Sequence, residues 1–324
     1  MGTTNTRLWL MQGDQIVQRF TAARGVRDAA QSGNSAVIRE ILRTLIVQAQ
    51  EAAVKLSMNV ECILAAGMLT SPFGLHEIPH IAAPAGEAEI AGAMKEVSVP
   101  ELSELTFYMV PGVRTGGLSP NLEGLRYVDL MRGEETMVVG LMIAGLLSAE
   151  ATFLNLGSHW KAISIDEERR IDASHTTLSG EMIHALQEKT ILASALPRGR
   201  FDKLEADWFE KGRMYQAAGG MGRSLFSVRL LEQVFRVNPI QAASFLLGAV
   251  IESDLAGMEN SGQLRRRVVI AGLGAAADAW RIALEATGRA SVVYTTDEIE
   301  RAFLRGLQHL YRAYVSSRAT PITG

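Results

Sequence analysis

The chain has 324 residues, which at roughly 100–200 residues per domain predicts two domains. Hydrophobic residues make up 48% and charged residues 21%, with 32 Lys and Arg against 35 Asp and Glu and a net charge of −3. That balance excludes a disordered or collagen-like chain and shows none of the basic excess a nucleic-acid binder carries.

Arg7 to Leu10 and Gln15 to Phe20 alternate in polarity around Gly13-Asp14, which predicts a β-hairpin over residues 7–20. Val37, Ile38, Ile41, Leu42, Leu45, Ile46 and Ala49 recur at helical spacing and predict a helix over 35–56. Short apolar strands are expected at 60–66 and 105–110, with a loop between them. A helix is expected from Arg132 to about Leu147, with Glu134 and Glu135 in its first turn, where the helix dipole favours acids. Strands at 151–156, 160–165 and 170–176 then lead to a helix at 180–189. Residues 190–240 carry Pro197, Gly199, Gly212 and Gly219-Gly220-Met-Gly222 and read as a mostly helical insertion with loops. A strand at 267–271, a helix at 275–286, a strand at 291–295 and a helix at 298–313 complete the chain. The halves share a plan without any residue-level repeat. Arg265-Arg266-Arg267 reads as a solvated strand entry.

Cys62 is alone, so it can form neither an intrachain disulfide nor a thiolate metal cluster. The N-terminus lacks the basic-then-apolar pattern of a leader. The apolar runs 137–147 and 240–251 are shorter than the ~20 residues that cross a bilayer. A cytoplasmic chain with no membrane or nucleic-acid partner is the expectation.

Four segments could carry chemistry. Gly2-Thr3-Thr4-Asn5-Thr6-Arg7 is either an ordinary polar lead into a strand or a turn whose backbone N–H groups and hydroxyls receive a phosphate. Leu156-Gly157-Ser158-His159-Trp160-Lys161 offers a second Gly-Ser turn with His and Lys beside it. Gly272-Leu-Gly274 joins a buried strand to an Ala-rich helix, either as plain packing or as a close approach for a ligand at a helix N-terminus. It lacks the third glycine of a dinucleotide fingerprint. Asp129-Leu-Met-Arg132-Gly-Glu134-Glu135 puts four charges in seven residues, and Glu134 and Glu135 project to different sides of a helix, so at most one faces a given ligand. The histidines show no zinc-enzyme spacing, and no Gly-x-Ser-x-Gly elbow is present.

Val128-Asp-Leu-Met-Arg-Gly-Glu-Glu-Thr136 resembles a hallmark segment of the 2-dehydro-3-deoxygalactonokinases. The 2–7 turn, the 66–80 segment with Pro84-Ala85, the 156–161 turn and Leu178-Ser-Gly-Glu181 resemble other family segments in the same order, and Phe226-Ser-Val-Arg229 and Phe245-Leu-Leu-Gly248 do so more loosely. The resemblance implies an α/β, two-domain actin/hexokinase-like (ribonuclease H-like) fold with an interdomain cleft. Its domains are expected at 1–149 and 150–324, the second with a helical insertion around 190–262. It also implies transfer of the γ-phosphoryl of ATP, with Mg²⁺, to the 6-hydroxyl of 2-dehydro-3-deoxy-D-galactonate in galactonate catabolism. The alternatives are a kinase for another 2-keto-3-deoxy sugar acid, or a catalytically impaired ligand-binding relative.

On that footing Gly2, Thr3, Thr4, Gly157, Ser158, His159 and Lys161 are expected at the phosphates, and Gly272 and Gly274 at the adenosine. Arg7, Gly67, Met68 and Ser71 are expected at the sugar acid. Glu134, Glu135, Asp129 and Arg132 are expected in catalysis, with Glu134 favoured as base. No metal ligand is assigned, and the oligomeric state is left open. The chain departs from the family at one place above all: Gly2 follows Met1, so the first strand and its metal-holding aspartate have no counterpart. Either the natural chain starts further upstream or this is an inactive relative. Trp160, Ala162, Lys189, Thr190 and Glu252 are further departures.

Overall fold

The structure is a computed structural model that describes residues 1–34, 36–117 and 122–319. Two compact units form. The first gathers Met1–Thr115, Leu130–Gly145 and the chain from Glu300 onward; the second gathers Gly116–Asp129 and Leu146–Ile299.

In the first unit, β1 (Thr6–Gln12) and β2 (Gln15–Ala22) form the expected antiparallel hairpin, with Leu8 opposite Phe20. After α1 (Val26–Ser32), α2 (Ala36–Lys55) buries Ile38, Ile41, Leu42, Leu45 and Ile46 along one stripe, as the helical spacing predicts. β3 (Ile63–Ala65) is shorter than expected. The stretch read as a loop holds β4 (Ile81–Ala82), α3 (Glu87–Gly92) and β5 (Lys95–Val99). β5 alternates as Lys-Glu-Val-Ser-Val and leaves most of its residues outside the core, which is why it lacks an apolar signature. β6 (Ser103–Met109) lies between β3, to which it is parallel, and β5, to which it is antiparallel. A second three-stranded sheet has the order β4, β7 (Val113–Thr115), β8 (Asp129–Met131). The segment before the acidic helix is therefore a strand, and α5 (Glu134–Ile143) starts after it at Gly133.

Beyond α4 (Leu122–Leu125), the second unit is built on one five-stranded sheet. β9 (Ala151–Leu156), β10 (Trp160–Ile165) and β11 (Ile171–Thr177) form an antiparallel meander, and β12 (Arg267–Ala271) and β13 (Ala290–Tyr294) extend it parallel to β9. Every residue of β10 is buried, Lys161 and Ser164 included, so the alternation of its sequence does not mark a solvated face. α6 (Ser179–Lys189), α7 (Ala206–Gly219), α8 (Met221–Gln233), α9 (Pro239–Asn260) and α10 (Gly274–Ala286) complete the unit. Asn238 and Gln241 cap α9 reciprocally, with Pro239 at its first position. With 22 residues α9 is longer than its apolar run implied and could span a bilayer by length and composition. It is instead the central helix of this unit, with Phe245, Leu246, Val250 and Ile251 in the core.

Glycines allow the tightest helix crossings. α11 (Thr296–Ala319) meets α5 at Gly140 and Gly306, where an added Cβ would strike the carbonyl oxygens of Ala302 and Thr136. α7 meets α9 through Gly212 and Gly248 in the same manner. Gly140→Ala is expected to lower stability by about 1–3 kcal/mol through overpacking, whereas Gly92→Ala, which meets open space, is expected to be near neutral. Thermal unfolding of the two variants checks the pair; equal midpoints would show that the crossing is not tight.

Candidate active site

In the first unit three backbone segments converge on a small volume. The carbonyl of Met1 accepts from Met68 N at 2.9 Å. Gly67 sits there at φ +83, and a Cβ on it would lie 2.6 Å from that carbonyl. Gly133, at φ +111, would bring a Cβ to 3.4 Å from Gly67 Cα. The N-terminal turn, the start of the 67–80 segment and the start of α5 therefore meet through glycines. The turn is closed by Gly2 N donating to Asn5 O at 2.8 Å, and it rests on α1, with Arg27 N donating to Thr3 O at 2.9 Å. Thr4 and Arg7 are exposed.

The acidic pair divides as its spacing predicts. Glu135 is fully buried, and both its oxygens accept from Gly133 N, at 2.8 and 2.7 Å. Burial pushes its carboxyl up to about 7; Glu134 adds to the shift, and the bonds from Gly133 and Thr136 oppose it. Glu134 is half-buried and, among the described residues, makes no side-chain hydrogen bond or ion pair. Arg132 is fastened to the 67–80 segment: Nη1 donates to Thr70 Oγ1 and Nη2 to Ile78 O, both at 2.8 Å, with His80 Nδ1 at 3.3 Å. Burial lowers its pKa. Ser71 is buried and turns its hydroxyl to Met68 O. Thr70 and His80 thus belong to this cluster; both lie in the 66–80 segment, and neither was assigned a role from the sequence.

In the second unit, the 157–161 turn links β9 to β10, with Gly157 and Ser158 exposed. The start of α6 packs on it: Glu181 N donates to Ser158 O at 2.7 Å, and Gly180 leaves no room for a Cβ against Gly157 O. His159 Nε2 lies 3.3 Å from Glu181 Oε2. Lys161 is buried on β10 opposite Asn155 and Thr176. β12 lies parallel to β9, with Ala271 opposite Asn155. The Gly157 turn and the Gly272–Gly274 turn therefore leave the carboxyl ends of two adjacent parallel strands. Gly272 packs on Leu156, and Gly274, at φ +66, lies against Phe201 and Asp202, so packing accounts for both glycines.

Asp129 accepts from Ser174 and Thr176 hydroxyls at 2.8 and 2.7 Å, which ties it to β11. Asp254, on α9, was not singled out by any motif; it accepts from Thr177 at 2.9 Å, and burial raises its pKa. Trp160 makes an edge-on contact with Trp280 at 5.9 Å, and Glu252 an ion pair with Arg213 at 2.8 Å. Among the described residues no three His, Cys, Asp or Glu side chains are grouped to hold a metal ion.

A family model described as 2-keto-3-deoxy-galactonokinase matches residues 1–310. A protein of Rhizobium meliloti (strain 1021) named "Probable 2-dehydro-3-deoxygalactonokinase DgoK1" is 27% identical over 315 residues, 94% of this chain and 93% of its own length. The 2-dehydro-3-deoxygalactonokinase of Escherichia coli (strain K12) is 24% identical over 268 residues, 80% of this chain and 78% of its own. A crystal structure described as "a putative 2-dehydro-3-deoxygalactonokinase protein from Sinorhizobium meliloti" superposes with a TM-score of 0.74 at 24% identity, covering 96% of each chain. The architecture is thus actin/hexokinase-like.

Glu135 links stability to pH. Its carboxyl titrates near 7 when folded and near 4.5 when exposed, so the folded chain holds the extra proton between those values. The stability it contributes is fully present below about 4.5 and is lost as pH rises through about 7. Glu135→Gln is expected to remove this slope, so its thermal midpoint gains on the parent between pH 4.5 and 7.5. Parallel midpoint–pH curves would contradict it.

Proposed function

The chain belongs to the 2-keto-3-deoxy-galactonokinase family, and we propose that it transfers the γ-phosphoryl of ATP to the 6-hydroxyl of 2-dehydro-3-deoxy-D-galactonate, a step of galactonate catabolism. The observation that carries the reading is the pair of glycine turns at the carboxyl ends of β9 and β12. Open α/β sheets bind ligands at such ends, and small residues there let a polyphosphate approach backbone N–H groups. In this reading Gly157, Ser158, His159 and Lys161 hold the β- and γ-phosphates, and Gly272 and Gly274 border the adenosine.

The first unit supplies the acceptor side. Phosphoryl transfer needs positioning and charge neutralisation more than covalent chemistry. Glu134, partly exposed at the start of α5, is the carboxylate to take the proton of the 6-hydroxyl. Glu135 is withdrawn from that task by burial; it positions Gly133 and hence the start of α5. Asp129 is engaged by β11, which leaves the base to Glu134. Arg132 positions the segment that bears Gly67, Met68 and Ser71. Arg7, exposed on β1, is the second cation available to a sugar-acid carboxylate, which a guanidinium meets in a two-point contact. The 2–4 turn adds N–H groups and hydroxyls for the transferring phosphoryl. No protein cage fits Mg²⁺ among the described residues, so Mg²⁺ would enter on ATP, held by phosphates and water, and no step is assigned to it.

A coupled ADP-release assay tests the proposal with 2-dehydro-3-deoxygalactonate beside a panel of other 2-keto-3-deoxy acids. Turnover highest with the galactonate derivative is expected; turnover with another acid alone would move the substrate, and none with any acid would remove the reading. Glu134→Gln is expected to lower kcat by at least ~10²-fold with little change in the KM for ATP. Near-normal kcat would take the base role from Glu134.

A further inference from the structure

Asp254 is a buried carboxylate to which the proposed reaction gives no role. It stands on α9 among Val250, Ile251, Leu255 and Met258, all in the core of the second unit. A carboxylate placed among such neighbours costs free energy unless hydrogen bonds replace its lost water. Two hydroxyls supply them. Thr177 Oγ1 donates to Asp254 Oδ2 at 2.9 Å, and the Ser179 hydroxyl, 3.0 Å from Thr177 Oγ1, donates to the same carboxylate. Thr177 is the last residue of β11 and Ser179 the first of α6. Asp254 therefore clasps the junction where the chain leaves the sheet and enters the helix. Leu178, between the two, offers no side-chain cap to α6, so the clasp is what anchors this helix start.

That helix start is the back wall of the 157–159 turn. Glu181 N donates to Ser158 O at 2.7 Å, and a Cβ on Gly180 would strike the carbonyl oxygens of Gly157 and Ser158. Both carbonyls thus face α6. In a planar trans peptide the N–H points opposite to the C=O. The N–H groups of Ser158 and His159 therefore point away from α6, and among the described residues neither donates to an acceptor. Below the turn, Trp160 of β10 is paired with Thr177 of β11. The aim of the two N–H groups is set by where α6 begins, and the beginning of α6 is held by Asp254.

We propose that Asp254 is a positioning residue for ATP: through Thr177 and Ser179 it fixes the first turn of α6, which holds the Ser158 and His159 N–H groups in the orientation that receives the phosphates. The inference rests on the assignment of the polyphosphate to this turn and adds the device that keeps the turn in place. Hydrogen bonds are directional, so the clasp fixes the rotation of the helix start as well as its position.

Steady-state kinetics of Asp254→Ala tests this, with ATP and 2-dehydro-3-deoxygalactonate varied in turn. The KM for ATP is expected to rise at least ~10-fold while the KM for the sugar acid stays within about twofold. Asp254→Asn, which keeps one acceptor oxygen, is expected to fall between the parent and Asp254→Ala. Thr177→Val and Ser179→Ala each remove one hydroxyl and are expected to raise the KM for ATP about threefold or more; they carry the test if Asp254→Ala does not fold. Ser164→Ala is the control for a lost buried hydrogen bond: its hydroxyl donates to Gln263 O at 2.6 Å on the same sheet, and its KM for ATP is expected to match the parent's. Hydrogen exchange adds a readout that needs no turnover. The Glu181 amide is expected to exchange at least ~10-fold faster in Asp254→Ala, exceeding any change at Val269 of β12. An unchanged KM for ATP in Asp254→Ala, an equal rise in Ser164→Ala, or an unchanged Glu181 amide would each overturn the proposal and leave an active parent a kinase. A parent without turnover on any acid would instead remove the kinase reading, and the nucleotide role of Asp254 with it.

Discussion

The contact among Met1, Gly67 and Gly133 is the constraint on which the geometry of the first unit's candidate site depends. Three backbones approach within van der Waals distance, and two of them adopt positive φ. Only glycine takes both conditions at once without strain. With that contact in place, the N-terminal turn, the segment after β3 and the start of α5 stand at fixed spacings. Gly133 then donates to Glu135, and the first turn of α5 presents Glu134 outward. The two adjacent glutamates thus acquire opposite characters from one helix start: one is a buried carboxyl that titrates near neutrality, the other a half-exposed carboxylate.

The second unit uses close approach in a related way. Gly180 lets α6 settle on the 157–158 backbone, and Gly272 lets Leu156 reach the end of β12. These packing needs leave Gly157 and Ser158 exposed. A turn held rigidly from behind offers its exposed N–H groups at lower entropic cost than a mobile one. His159 with Glu181 and Thr177 with Asp254 surround the same region with polar groups. Trp160 and Glu252 are both engaged locally, by the Trp280 ring and by Arg213.

The elements legible in the sequence were those with strong periodicity. α2 announced itself by its apolar stripe, the first hairpin by Gly13-Asp14, and β9 and β10 by apolar or alternating runs. β5 and β8 escaped because they are short and partly solvated, so their side chains carry little hydrophobic signal. Within the candidate site, the glycine turns and the acidic run were visible as local motifs. Their partners carried no assigned role: Thr70 and His80 stand inside the 66–80 segment and Asp254 in an apolar helix, and only folding brings them to a guanidinium or a hydroxyl.

What the sequence determined by itself was therefore local and chemical: element type where a period of two or 3.6 persists, the glycine turns proposed for phosphate, and the motif run that points to a sugar-acid kinase family. Tertiary structure decided which glutamate is buried, which arginine is engaged and which strand edges stay open. It also decided that the last helix packs against Gly140 and beside Trp9, near the start of the chain, whose indole donates to Glu300 at 2.9 Å. The physical reason is range. Propensity and periodicity act over a few residues, whereas desolvation, hydrogen-bond satisfaction and sheet pairing depend on neighbours that can be nearly 300 positions away in the chain, as Trp9 and Glu300 are.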